Sequence, residues 1–288
     1  MKSVALLLGL LVSALTSGHA APLKVASFST ITTDIAKNVG GDDVVITGIV
    51  KPGMDPHEFQ PSPGDIQAVS ESDVALLTGK GIEGYLSKLK ENAGKTMFVD
   101  TGKGIPSLRM VDDGKDIEDP HWWNSVENVK IATTEVEKAF AKADPAHAQD
   151  YAANAQKYLG QLSDLEDWAK EKISTLPRDK RKLVTSHDAF QYFARDFGFK
   201  IYAIEGVSSE DEPSSRKVAD LINTIKAQGV KAVFFENIEN PKVIGEITRE
   251  TGAKIGGELY ADGLGDKQAT TYIEMVKSNI STIVDALK

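Results

Sequence analysis

Apolar positions along this chain fall into two alternating patterns. Short, nearly unbroken runs at residues 23–28, 44–49, 74–77 and 97–99 read as buried strands. Between them, apolar steps of three and four predict helices over 30–39, 65–70 and 82–91. Strands that alternate with helices in this way form βαβ units around a parallel sheet. A Pro- and Gly-rich loop is expected over 52–63, and the Gly- and Asp-rich stretch 102–119, with poor periodicity, also reads as a loop. A helix follows over 128–141.

The pattern changes at Pro145. Tyr151, Ala155, Tyr158, Leu159, Leu162, Leu165, Ala169, Ile173 and Leu176 lie on one face of a single helix over 145–176, with Asp144 as N-cap and Pro145 at the first helical position. At 1.5 Å per residue it would run on the order of 45 Å, longer than a small domain. Pro177 ends it, and a second α/β pattern begins. Strands are expected at 183–185, 200–204 and 232–235, with helices at 188–197, 214–228, 241–251 and 268–287. The expected fold is therefore α/β, with two lobes of mostly parallel sheet flanked by helices and one long interdomain helix joining them. The N-terminal lobe spans 21–144, the linking helix 145–176 and the C-terminal lobe 177–288.

Residues 1–20 stand apart. Lys2, an apolar run over 4–15 and the small residues around Ala20 have the layout of a cleaved signal peptide. The run is too short to span a bilayer, which needs ~20 residues. The sequence holds no cysteine, so neither a disulfide nor a lipidated cysteine is expected, and the reading is a free periplasmic protein without a lipid anchor. The formal net charge of −9 disfavours nucleic acid and suits a cation.

Of the 5 histidines, four follow residue 20, and each context matters. His57 sits in a proline-stiffened loop after a strand. His121 follows Pro120 and precedes Trp122 and Trp123, which either shield a site or belong to the core. His187 closes a strand and opens a helix. Asp262 also follows a strand-like stretch. These four positions fall at strand ends, two in each lobe, where open α/β sheets bind ligands. Three imidazoles and a carboxylate suit a borderline cation such as Zn²⁺. Locally, His57 and His121 read equally well as ordinary residues, His187 less readily as a capped helix residue, and Asp262 more readily as a loop residue capping the last helix. His147 has no strand end near it and is expected to be an exposed helix residue.

Longer motifs narrow the choice. GMDPHEFQPSPGD (53–65), DPHWWN (119–124), TSHDAFQYFARDFGF (185–199), SEDEPS (209–214) and ELYADGLG (258–265), in that order, resemble the metal-specific solute-binding proteins of ABC importers, the zinc and manganese receptors. The resemblance covers essentially the whole chain after the leader. It implies that His57, His121, His187 and Asp262 ligate the metal between two lobes, that the linking helix limits their movement, and that a membrane permease is the partner. Zinc members often carry a His-rich loop and some a disulfide, both absent here. Manganese members commonly have Glu in the third position, where this chain has His187. The reading is a monomeric zinc receptor, not an enzyme, not membrane-embedded and not nucleic-acid-binding. Manganese or iron is the alternative metal. A secreted metallohydrolase is the rival class, with Glu58 as its nearest base but without an HExxH motif; a surface adhesin is a third.

Overall fold

The structure is a computed structural model that describes residues 21–112, 114–208, 214–236 and 242–288. The leader expected over 1–20 and most of the SEDEPS motif (209–213) lie outside the described residues, as does the expected start of a helix at Pro241.

Four short strands, β1 (Leu23–Ser27), β2 (Val44–Gly48), β3 (Val74–Leu77) and β4 (Met97–Asp100), form a sheet in the order β2-β1-β3-β4. Every pairing in it is parallel. Its connections include α1 (Thr30–Gly40), α2 (Pro63–Ser70) and α3 (Leu86–Asn92). All four residues of β3 are buried, which explains its uninterrupted apolar run: a central parallel strand is covered on both faces. A small antiparallel hairpin, β5 (Arg109–Asp112) and β6 (Lys115–Glu118), occupies the stretch expected to be a loop. Its strands are four residues each, too short for alternation to register, and Arg109 crosses the pair to Asp116 at 2.9 Å.

The second sheet contains β7 (Lys182–Thr185), β8 (Lys200–Ala203), β9 (Ala232–Glu236) and β10 (Lys254–Leu259), ordered β10-β9-β7-β8 and again parallel. Around it lie α6 (Gln191–Phe197), α7 (Ser215–Gln228), α8 (Lys242–Thr251) and the terminal α9 (Tyr272–Leu287). In each sheet the first strand in the chain is flanked by the second and third, so both lobes share one topology. Gly198 and Gly229 close α6 and α7 at φ 70° and 60°, a backbone that side chains with a Cβ disfavour. The terminal helix begins at Tyr272 rather than 268, because Thr271 and Glu274 form a capping box there.

Between the sheets run α4 (Val126–Ala143) and the 27-residue α5 (Ala148–Ser174). At 1.5 Å per residue α5 is about 40 Å long. It starts three residues later than the sequence implied, because Pro145 opens a separate 3₁₀ turn over Pro145–His147. Asp144 does not cap it: its carboxylate accepts from His147 Nδ1 and the Tyr151 hydroxyl instead. The buried face of α5 carries Tyr151, Ala155, Tyr158, Leu162, Leu165, Ala169 and Ile173. Its first half joins a core with Ile31, Ile35, Trp122, Trp123 and Phe140, and that same cluster includes Tyr192, Tyr260, Tyr272 and Met275 from beyond the linking helix. Apolar packing is therefore continuous across the seam between the sheets.

Candidate metal centre

The seam faces the carboxyl ends of strands from both sheets. His57 lies in the loop after β2, where its backbone N–H donates to Asp55 Oδ1 at 2.7 Å. His121 follows β6. Its N–H donates to Asp119 Oδ1 at 3.0 Å, and Tyr192 from the other lobe donates its hydroxyl to Asp119 O at 3.0 Å. His187 follows β7 by two residues, with its own carbonyl held by Thr185 Oγ1 at 2.9 Å. Asp262 follows β10. The preceding carbonyl of Ala261 accepts from Trp123 Nε1 at 2.6 Å and Asn124 Nδ2 at 3.2 Å, and Leu264 N donates to Thr30 Oγ1 at 2.8 Å.

These four residues, expected separately, converge: one donor atom from each lies within 4.8 Å of all the others. His57 Nε2 and His121 Nε2 are 3.2 Å apart. Asp262 stands 3.8 Å from His57 Nε2, 3.7 Å from His121 Nε2 and 3.2 Å from His187 Nε2. Four donors on one tetrahedral ion at ~2.0–2.2 Å would be spaced about 3.3–3.6 Å apart. His121 and His187 are fully buried and Asp262 nearly so; His57 is half-buried and borders an outer cleft of about 690 Å³ that also meets Glu58, Lys80, Glu118 and Ser208. Asp262 Oδ1 is buried without a hydrogen bond, and His187 Nε2 has only the Asp262 carboxylate, 3.2 Å away, although buried polar groups normally have a well-formed partner. Atoms left in that condition and aimed at one point are what a cation would satisfy.

Two carboxylates that sequence reasoning did not single out fix the imidazoles. Asp119 Oδ1 accepts from His121 Nδ1 at 2.8 Å, and Glu236 Oε2 from His187 Nδ1 at 2.5 Å. An ionised carboxylate only accepts, so both Nδ1 atoms carry protons and both Nε2 atoms turn toward the shared centre. Glu236 ends β9, at the same sheet edge as the ligand candidates, and that position was its only sequence signal. Trp123 fills both of the roles left open for the tryptophan pair. It is buried in the core and stands edge-on to His121, with ring centroids 5.4 Å apart. Glu58 is exposed, and His147 is not the exposed residue expected: its side chain is 16% accessible and tied to Asp144.

Burial alone would lower the His187 pKa, but the negative charges of Asp262 and Glu236 override it and hold the imidazole well above its ordinary value. Burial likewise acts to raise the Asp262 pKa, and the opposing pull of His187, with a smaller contribution from His57, holds it well below. With no ion bound, the two shifts favour an imidazolium–carboxylate pair. A His whose folded pKa exceeds the unfolded ~6.5 stabilises fully below that unfolded value, and the contribution disappears as pH rises through the folded value. In the presence of chelator, the melting temperature is expected to fall as pH is raised from neutral into the alkaline range, and to fall less in His187→Gln. Equal slopes for the two proteins would contradict this pairing.

Comparison with known proteins adds lineage to this geometry. The family model for the zinc-uptake complex component A, periplasmic, matches residues 25–286. The manganese-binding lipoprotein MntA of Halalkalibacterium halodurans is 34% identical over 274 residues, 94% of this chain and 91% of that protein. The iron-binding protein YfeA of Yersinia pestis is 34% identical over 270 residues, 93% of this chain and 87% of that one. Among solved structures, the periplasmic zinc-binding protein TroA of Treponema pallidum superposes with a TM-score of 0.86 at 30% identity, covering 93% of this chain and 99% of that one. Its α/β architecture is the same. Among the described residues no helix is long and apolar enough to cross a membrane. The expectation of a protein without a lipid anchor finds no support in these relatives, since MntA is named a lipoprotein.

Proposed function

Because this chain belongs to the zinc-uptake component A family, whose members are extracytoplasmic substrate-binding receptors of metal ABC importers and not enzymes, we propose that its cargo is zinc. His57, His121, His187 and Asp262 act as the ligands, and a membrane permease receives the ion. The observation that carries this reading is the convergence of three imidazole nitrogens and one carboxylate on a common point. Three nitrogen donors and one oxygen favour zinc over the oxygen-rich shells preferred by manganese. Four protein donors also fill a tetrahedron, leaving no open position of the kind catalytic zinc keeps for water. The lobes, 21–144 and 177–288, each supply two ligands, and the segment 145–176 braces them from behind. The receptor works as a monomer in the periplasm.

Manganese or iron is the second reading, and the similarity to a manganese-binding and an iron-binding protein favours it. Competition between zinc and manganese for the purified protein, against a chromophoric chelator, separates the two. One tightly held zinc per chain with clearly weaker manganese is the expected result. Tighter manganese would move the assignment, and the absence of any stoichiometric tight ion would overturn it.

A further inference from the structure

A third imidazole held by a carboxylate stands at the foot of α5, apart from the four residues above. His147 Nδ1 donates to Asp144 Oδ2 at 2.6 Å, and the same oxygen accepts the Tyr151 hydroxyl at 2.9 Å. This is the arrangement that orients His121 through Asp119 and His187 through Glu236. With Nδ1 committed, the free nitrogen is Nε2, and Asp43 Oδ1 lies 3.7 Å from it. Asp43 belongs to the short turn between α1 and β2, so one donor comes from the N-terminal lobe and the other from the start of the linking segment.

That spacing is the one found at the interlobe centre, where Asp262 stands 3.8 and 3.7 Å from His57 and His121. Two donors each ~2.0–2.2 Å from one ion can stand up to about 4.4 Å apart, so this separation admits an ion between them. Side chains here are 16% accessible at His147 and 26% at Asp43, open enough for water to complete a coordination shell. The surroundings are acidic. The Asp144 hydrogen bond raises the His147 pKa against a smaller burial effect, and the charges of Asp144, Asp43 and Asp150 add to it. A field that holds a proton on an imidazole also concentrates cations near it.

We propose that His147 and Asp43 form a second, solvent-facing site for a divalent transition-metal ion of zinc-like preference, with Asp144 orienting the imidazole and water supplying the remaining ligands. It binds more weakly than a four-donor centre because the protein contributes only two donors. An ion there bridges the turn after α1 to the elbow between α4 and α5. The inference does not depend on the function proposed above.

Calorimetric titration of the full chain with zinc tests it, using wild type, His147→Gln, Asp43→Asn and His187→Ala, with melting curves to confirm that each variant is folded. Wild type is expected to show a tight event followed by a weaker one. The weaker event is lost in His147→Gln and in Asp43→Asn, which keep the tight one, and it survives in His187→Ala. A wild-type titration with no second event, or a second event unchanged in both His147→Gln and Asp43→Asn, overturns the proposal. Loss of the tight event alone from wild type would instead strike the receptor reading and leave this one standing.

Discussion

His187→Ala is expected to weaken zinc binding by on the order of 10²–10³-fold while leaving the protein folded. The size follows from sharing the ~10–16 kcal/mol of a four-ligand zinc site among its ligands, which assigns roughly 2.5–4 kcal/mol to each. His187 is the ligand candidate for which the full share applies. It is wholly buried and its ring is fixed by Glu236. Glu236→Gln keeps the imidazole but replaces its acceptor, and a loss of about 10–100-fold is expected there, the range typical of partners behind a metal ligand. Equilibrium competition with a calibrated chelator measures both. An effect of His187→Ala below that of Glu236→Gln would show that His187 does not touch the ion.

The second large effect is on the scaffold. Trp123→Ala is expected to cost about 3–5 kcal/mol of stability, the usual range for truncating a buried tryptophan. Trp123 is 1% accessible, stacks edge-on with Trp122 and donates to the carbonyl just before Asp262. Tyr272 in turn donates its hydroxyl to Trp123 O at 2.7 Å, so the residue is held from the opposite lobe at both side chain and backbone. Urea unfolding of chelator-treated protein reads the stability. The same variant is expected to bind zinc more weakly, because the Asp262 loop loses its anchor. Trp123→Phe should recover most of the stability and less of the affinity, since it restores bulk but not the N–H donor. Wild-type stability in Trp123→Ala would mean that the tryptophan is not part of the shared core.

Much of this architecture can be read from the chain because its strands are buried on both faces and its helices on one. Residues 74–77 and 232–235 are unbroken apolar runs for that reason, and the steps of three and four along α5 follow from a single packed face. The hairpin at 109–118 escaped because four-residue strands on the surface carry little pattern. The start of α5 was misplaced because Asp144 and Pro145 match the signals of a helix N-terminus, yet the Asp144 carboxylate is taken by His147 and Tyr151. At the seam, His57, His121, His187 and Asp262 stood out by residue type and by position at strand ends. Asp119 and Glu236 did not, since a carboxylate behind an imidazole acquires its role only when folding brings the ring beside it. His147 is the sharpest lesson: one turn of helix hid its approach to Asp43, contributed by a turn about a hundred residues earlier.

The continuous core across the seam has a thermodynamic consequence. Tyr192, Tyr260, Tyr272 and Met275 pack with Ile31, Trp122 and Trp123 in one cluster, so each half covers apolar surface of the other. The two halves are therefore expected to melt together, and a cut within the long helix would bare this shared surface on both fragments. Cargo capture then acts on a body that is already assembled.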